Sequence, residues 1–270
     1  MSFFTSLSGM RNAETDLRVI SNNIANAETT GFRKSSAQFA DLVATGGNTD
    51  PRRTPGIGAA ISSINQDFGL GSLEQTGRGL DLAINGGGFF ATSNPVSGDI
   101  SFTRNGNLQI VANGQLQDAF GDAVQAFPVD AAGNPTSTVP GDVIIPVTNA
   151  AGSSLASVSI DAQGVVGASY SDGTNTPIAQ IALASFPAVG GLRAIGQTKW
   201  EATADSGAPE YGNPGIGNFG QIMSGSLERS NVDLAEEMVS LLTAQRNFQA
   251  NARAIDTATA ISQTVLNLQR

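Results

Sequence analysis

The sequence predicts an α+β protein. Helices at the N- and C-termini form a coiled-coil layer, and a mainly antiparallel all-β domain lies between them. Three observations predict this. Apolar residues recur every three or four positions near both ends of the chain. Between the ends, short runs rich in Val, Ile and Phe are separated by Asn-Gly, Asp-Gly and Gln-Gly turns. Two Gly/Pro-rich stretches, 44–60 and 205–220, flank that middle region almost symmetrically.

The first helix rests on Met10, Ala13, Leu17, Ile20, Ile24 and Ala27, which step by threes and fours as a heptad seam does. Thr29-Thr30 weakens it, and Gly31 should end it. The middle region holds runs such as "FFATSN", "DVIIPVTN" and "IAQIALASF". Asn105-Gly106, Asn113-Gly114 and Asp172-Gly173 are the clearest hairpin turns. The last helix is longer. Leu234, Met238, Leu241, Gln245, Phe248, Ala252, Ile255, Thr259, Ser262 and Leu266 keep the seam. Asp233 and Glu236 make a capping-box start. A helix from Asp233 to Leu268 would be about 54 Å long at the usual rise. One small domain cannot bury that length, so the helix wants several neighbours. The pattern divides the chain into terminal helical segments 1–43 and 225–270, linkers with extended segments at 44–70 and 205–224, and a β-rich region 71–204.

Composition narrows the chemistry. The net charge of −9 argues against nucleic acid and anionic membrane surfaces, which call for basic patches. Arg33-Lys34 and Arg52-Arg53 are too short to supply one. With no Cys and no His, thiol nucleophiles, the usual zinc sites and the commonest acid–base residue are missing. No metal or cofactor is expected. The N-terminus lacks the basic and apolar regions of a cleaved signal peptide, and no apolar run is long enough to span a bilayer. Charged residues make up only 14% of the chain and glycine is abundant, which suits close burial against neighbours as well as frequent turns.

Possible enzymatic motifs are weak. Gly215 to Gly220 matches G-x-G-x-x-G, but a Pro-rich loop precedes it and no helix pattern follows. Gly86-Gly87-Gly88 lacks the Lys of a phosphate loop and reads as a bulge or close backbone approach. Asp81, among apolar neighbours, reads as a turn cap or an acceptor of backbone hydrogen bonds. The chain has only two lysines, Lys34 and Lys199, which argues against a Ser–Lys dyad. Trp200 reads as a buried strand aromatic. No cluster of titratable groups suggests an enzyme.

Four segments, in order, resemble the axial proteins of the bacterial flagellum, the rod and hook subunits. "SLSGMRNAETDLRVISNNIANAETTGFRKS" carries Ser21, Asn22, Asn23, Ile24, Ala25 and Asn26, then Thr30, Gly31 and Phe32. "GSLEQTGRGLDLAINGGGFF" carries Asp81, Gly86, Phe89 and Phe90. "SFTRNGNLQIVANGQL" is the third segment. "GSLERSNVDLAEEMVSLLTAQRNFQANARAIDTATAISQTVLNL" carries Asn231, Val232, Gln245 and Arg246. Details of the last segment, and "VSIDAQGVVGASYSDGTNTPIAQIALASF", resemble the hook protein, whereas the length resembles rod proteins.

The resemblance implies a hook subunit that polymerises into a curved hollow tube, a universal joint passing motor torque to the filament. The distal rod, a straight drive shaft, is the alternative, and a proximal rod subunit is a further one. It implies export without a cleaved signal through the flagellar type III apparatus, and assembly outside the cell. The implied partners are copies of itself and the rod, hook-cap and hook–filament junction proteins. Met10, Leu17, Ile20, Ile24, Leu234, Met238, Leu241, Phe248, Ile255 and Leu266 are expected at the inner helical interface.

Overall fold

The computed structural model describes residues 2–43 and 56–268. Most of the Gly/Pro/Thr-rich run at 44–60, with Arg52-Arg53, lies outside them. The chain forms two compact units. One comprises Met1–Ala27, Lys34–Asp67 and Val232–Arg270, and the other Glu28–Arg33 with Phe68–Asn231.

The first unit contains both long helices, α1 (Ser2–Ala25) and α2 (Leu234–Leu268). They run antiparallel. Asn23, near the end of α1, bonds to Glu237 at the start of α2. At the other end of α1, a Cβ on Gly9 would lie 2.6 Å from Asn251 Oδ1, so glycine admits the close approach of α2 there. The same register runs α1 out near residue 258, and the last turns of α2 continue past it. Asp233 caps α2 by accepting the Ala235 and Glu236 amides at 2.8 and 3.2 Å. The expected capping box is half formed, because the Glu236 carboxylate turns instead to Lys34 at 3.2 Å.

This unit also contains a feature the helical periodicity did not indicate. Ser35–Val43 (β1) and Gly56–Gln66 (β2) pair as a long antiparallel ribbon. Segment 1–43 is therefore not helical throughout. Beyond Gly31, β-prone Phe39 and Val43 replace the seam residues. The ribbon lies along α1: a Cβ on Gly58 would meet Ser8 Oγ at 2.3 Å.

The second unit is β-rich and its strands pair antiparallel. The main path of its large sheet orders Leu155–Ile160, Val165–Tyr170, Asn175–Ile181, Ala123–Pro128, Phe89–Ser93, Ile100–Thr103, Lys199–Glu201 and Arg193–Gly196. Two strand pairs accompany it, Gln221–Ser224 with Leu82–Asn85 and Ser226–Glu228 with Leu73–Gln75. Strand Ser226–Glu228 therefore belongs with the β region, although the pattern had grouped 225–270 with the last helix. The helical period begins only after the Asp233 cap.

Neighbouring strand residues point to opposite faces, and this explains the Phe89-Phe90 pair. Phe90 enters a core with Leu82, Ile84, Leu116, Val166 and Ile181. Phe89 enters a second core with Phe102, Phe186 and Trp200. Trp200 is a buried strand aromatic, 2% exposed, with its ring 5.8 Å from Phe89. Asn113-Gly114 and Asp172-Gly173 turn true hairpins, each glycine at positive φ. Asn105-Gly106 does not. The strands on either side of it pair elsewhere, and Leu82 donates to the Gly106 carbonyl at 2.9 Å. A Cβ on Gly106 would meet Leu82 O at 1.9 Å, so this glycine serves close backbone passage.

Candidate functional site: motif joints and helix faces

In the β-rich unit the motif segments meet at one buried carboxylate. Glu228 Oε1 lies 2.7 Å from Arg33 Nη1, and neither side chain is exposed. Glu228 Oε2 lies 3.3 Å from Arg104 Nη1. Oε1 also accepts the Gly71 amide at 3.0 Å. Arg33 donates to the Gly69 carbonyl at 2.8 Å and Arg104 to that of Gly86 at 2.9 Å. The Arg104 guanidinium sits 5.2 Å from the Phe89 ring centroid. Burial, opposed by Glu228 and reinforced by Arg33, lowers the Arg104 pKa to about 10.

Glycines let these backbones converge. Gly31 donates to the Glu228 carbonyl at 2.8 Å. Its φ is +71°, and a Cβ there would lie 2.8 Å from the Asn105 nitrogen. Gly86, at φ +130°, has room for no Cβ beside Gly220, 2.8 Å away. Thr30 and Phe32, on either side of Gly31, are half-buried. Asp81 accepts a hydrogen bond from Thr76 at 2.7 Å and pairs with Arg78 at 2.8 Å. Its carbonyl takes the Gly225 and Ser226 amides. Asn231 donates to Gly69 O at 3.2 Å. The G-x-G-x-x-G run lies between strands Glu210–Gly212 and Gln221–Ser224, with no helix N-terminus to receive a phosphate.

Asn23 organises a second joint, within the helical unit. It is 1% exposed and bonds both ways to Ser35, donating to its carbonyl at 2.8 Å and accepting its amide at 2.9 Å. The same side-chain nitrogen donates to Glu237 at 3.1 Å. Lys34 reaches Glu237 at 2.9 Å. A hydrogen bond to Glu237, more than the opposing burial, raises the Lys34 pKa. Burial first and the Glu237 charge second raise that of Asp16. These residues line a cavity of about 330 Å³ with Val19, Ile20 and Thr243. Asn26 closes the helix end by donating to the Asn22 carbonyl at 2.9 Å. Ser21, Asn22 and Ala25 are exposed, and Val232 is half-buried.

The expected inner-interface residues divide into two groups. Ile20 is buried, and Met10, Leu17, Ile24, Leu241, Phe248 and Ile255 are half-buried. Leu234, Met238 and Leu266 are 42%, 50% and 65% exposed. Gln245 and Arg246 are exposed, whereas Ala244, just before them on α2, is 1% exposed. The covered face of α2 runs through Glu237, Leu241, Ala244, Phe248 and Asn251. It leaves the expected seam at Met238 and Gln245.

Sequence reading missed Arg33, Arg104, Glu228 and Gly71. All four lie inside the quoted motif segments, but other charged residues share those segments, so local sequence did not single these out. Among the described residues, no group of three or more His, Cys, Asp or Glu could hold a metal, and no helix is long and apolar enough to cross a membrane.

Three stretches that contribute residues to these joints match family models in chain order. Residues 4–33 match the flagella basal body rod protein model. Residues 83–168 match the flagellar hook protein FlgE/F/G D1 domain. Residues 223–268 match the flagellar basal body rod FlgEFG protein C-terminal model. The class is that of structural proteins of the flagellar axis.

Whole-chain relatives agree. The flagellar basal-body rod protein FlgG of Bacillus subtilis (strain 168) is 34% identical over 282 residues, covering 100% of this chain and 99% of the relative. FlgG of Caulobacter vibrioides is 33% identical over 279 residues, covering 98% of each. The flagellar hook protein FlgE of Salmonella typhimurium is 27% identical over 411 residues, covering 100% of each. The chain belongs to the flagellar rod and hook axial protein family.

Proposed function

We propose that the chain is a rod subunit, polymerising head to tail with copies of itself into a straight hollow shaft. One observation carries this reading. The alignment to FlgG of Bacillus subtilis needs 282 positions, close to the 270 residues of this chain, whereas that to the Salmonella hook protein needs 411. The chain lacks the length of the larger hook subunit. A contact surface for neighbouring copies is available on α2, where Leu234, Met238, Val239 and Leu242 are exposed. The β1–β2 ribbon adds exposed Phe39, Leu42, Ile57, Ile61 and Ile64. Contiguous apolar surface of this kind marks an interaction site. Repeated heterologous contacts that do not close into a ring build a helical polymer. In this reading the chain leaves the cell through the type III apparatus and joins other axial proteins end to end.

The hook is the second reading, favoured by hook relatives that align along the whole chain. Both are tested by one experiment. An epitope inserted at the exposed turn around Gly133 is located by gold labelling on isolated hook–basal bodies. Label on the straight segment supports the rod. Label along the curved segment overturns it in favour of the hook.

A further inference from the structure

We propose that Lys199 and Asp118 condense into an internal isopeptide bond, with Asp122 relaying the protons. Lys199 lies in the β-rich unit on strand Lys199–Glu201, and its side chain is 3% exposed. Its Nζ lies 2.7 Å from Asp118 Oδ2, and the Asp118 side chain is 4% exposed. Asp122 Oδ2 touches the same Nζ. The other oxygen of Asp118, Oδ1, accepts the backbone amides of Phe120 and Asp122 at 2.8 and 3.0 Å. Nζ lies over the Phe120 ring, 5.3 Å from its centroid.

A buried ion cluster needs no such bond, but this one has the parts that amide formation requires. A nucleophile touches a carboxyl group. Two N–H donors hold the oxygen on which negative charge develops during attack. A second carboxylate touches the amine and can carry protons from it. The balance closes without any other reagent. Asp122 takes a proton from the Lys199 ammonium, and the freed Nζ lone pair attacks Asp118 Cγ. The C–Oδ2 bond breaks, and Oδ2 leaves as water with two protons, both originating on Nζ and passed through Asp122. The products are one amide, one water and Asp122 unchanged.

Two effects drive the step. Held groups react as if at roughly 10⁵–10⁸ M. The product also replaces a buried ammonium and a buried carboxylate, both costly to desolvate, with a neutral amide. In a chain without cysteine, the bond would tie strand Leu116–Asp118 to strand Lys199–Glu201 as a disulfide cannot.

The test is the intact mass of the folded, full-length chain. The expected mass is one water below that of the sequence, with a branched peptide joining positions 118 and 199 on fragmentation. Lys199→Arg keeps the cation and should restore the full mass. Asp122→Ala should retain Trp200 fluorescence while slowing or abolishing the water loss. Two results overturn the proposal. One is full mass after prolonged warm incubation of the folded protein, with Lys199 open to acetylation once unfolded. The other is a water loss that persists in Lys199→Arg, which assigns it to a succinimide such as one at Asp172-Gly173.

Discussion

Arg33 and Glu228 form an ion pair of 2.7 Å in which neither side chain reaches solvent. With Arg104 they make a cluster of two cations and one anion, linking two loop residues and the end of strand Ser226–Glu228 from three separate parts of the sequence. Among the described residues, Glu228 is the carboxylate paired with both guanidinium groups, so its neutralisation removes the counter-charge that each cation has there. Breaking a buried pair from one side typically costs about 3–5 kcal/mol. Glu228→Gln should destabilise the β-rich unit by about that much. Arg104→Met should cost less, because one balanced pair remains. Denaturant unfolding followed by Trp200 fluorescence measures both. Equal losses would show that the charges are not balanced as the distances imply.

Gly31 presents a steric requirement at the same joint. Its positive φ costs a residue with a Cβ about 1–2 kcal/mol, and the Asn105 nitrogen stands 2.8 Å from where that Cβ would lie. Gly31→Ala should therefore destabilise by more than the dihedral cost alone. Gly98→Ala is the control, with a φ of +77° and nothing within 4 Å of the added carbon. The difference between the two variants in the same unfolding assay isolates the contact.

Periodicity encodes which face of a helix is covered, and it placed both helices correctly. It could not separate the face covered by α1 from a face left bare, because Met238 and Leu241 are equally apolar. Extended chain was expected within 44–70, but its pairing with 35–43 was not, because both strands carry apolar residues that stay exposed and so lack a clean inward-outward alternation. Asn113-Gly114 and Asn105-Gly106 look alike in sequence. Only the passage of Leu82 beside Gly106 separates a hairpin from a crossing. The charged joint was hidden for a similar reason: Arg33, Arg104 and Glu228 are far apart in sequence, and only the fold makes them neighbours.

The helical unit should respond to pH through Asp16. Burial and the nearby Glu237 raise its pKa above 3.8 in the folded state. The folded chain then binds more protons than the unfolded chain between the two values, so stability falls as pH rises through that window. Asp16→Asn removes the penalty. It should raise the melting temperature of the helical unit at neutral pH, with the gain disappearing below about pH 3.8. Far-UV circular dichroism melts across pH provide the measurement. A gain that persists at acid pH would assign the effect to something other than ionisation.

Assembly should depend on the exposed face of α2 separately from its covered face. Met238 and Leu242 are 50% and 55% exposed. Substituting Asp for either adds a charge that the single chain tolerates, since surface changes usually stay within about 0.5 kcal/mol. In a polymer the same charge would be desolvated against a neighbour, at a cost far above that figure. Met238→Asp and Leu242→Asp should therefore leave the helix content and Trp200 fluorescence unchanged but abolish tube formation by sedimentation. Ile20→Asp buries its charge between elements of one chain, since Ile20 is 6% exposed. It should lower helix content first and assembly as a consequence. If Met238→Asp and Leu242→Asp still build full-length tubes, the exposed face of α2 does not mediate polymerisation, and the contact lies on the β1–β2 ribbon or the β-rich unit.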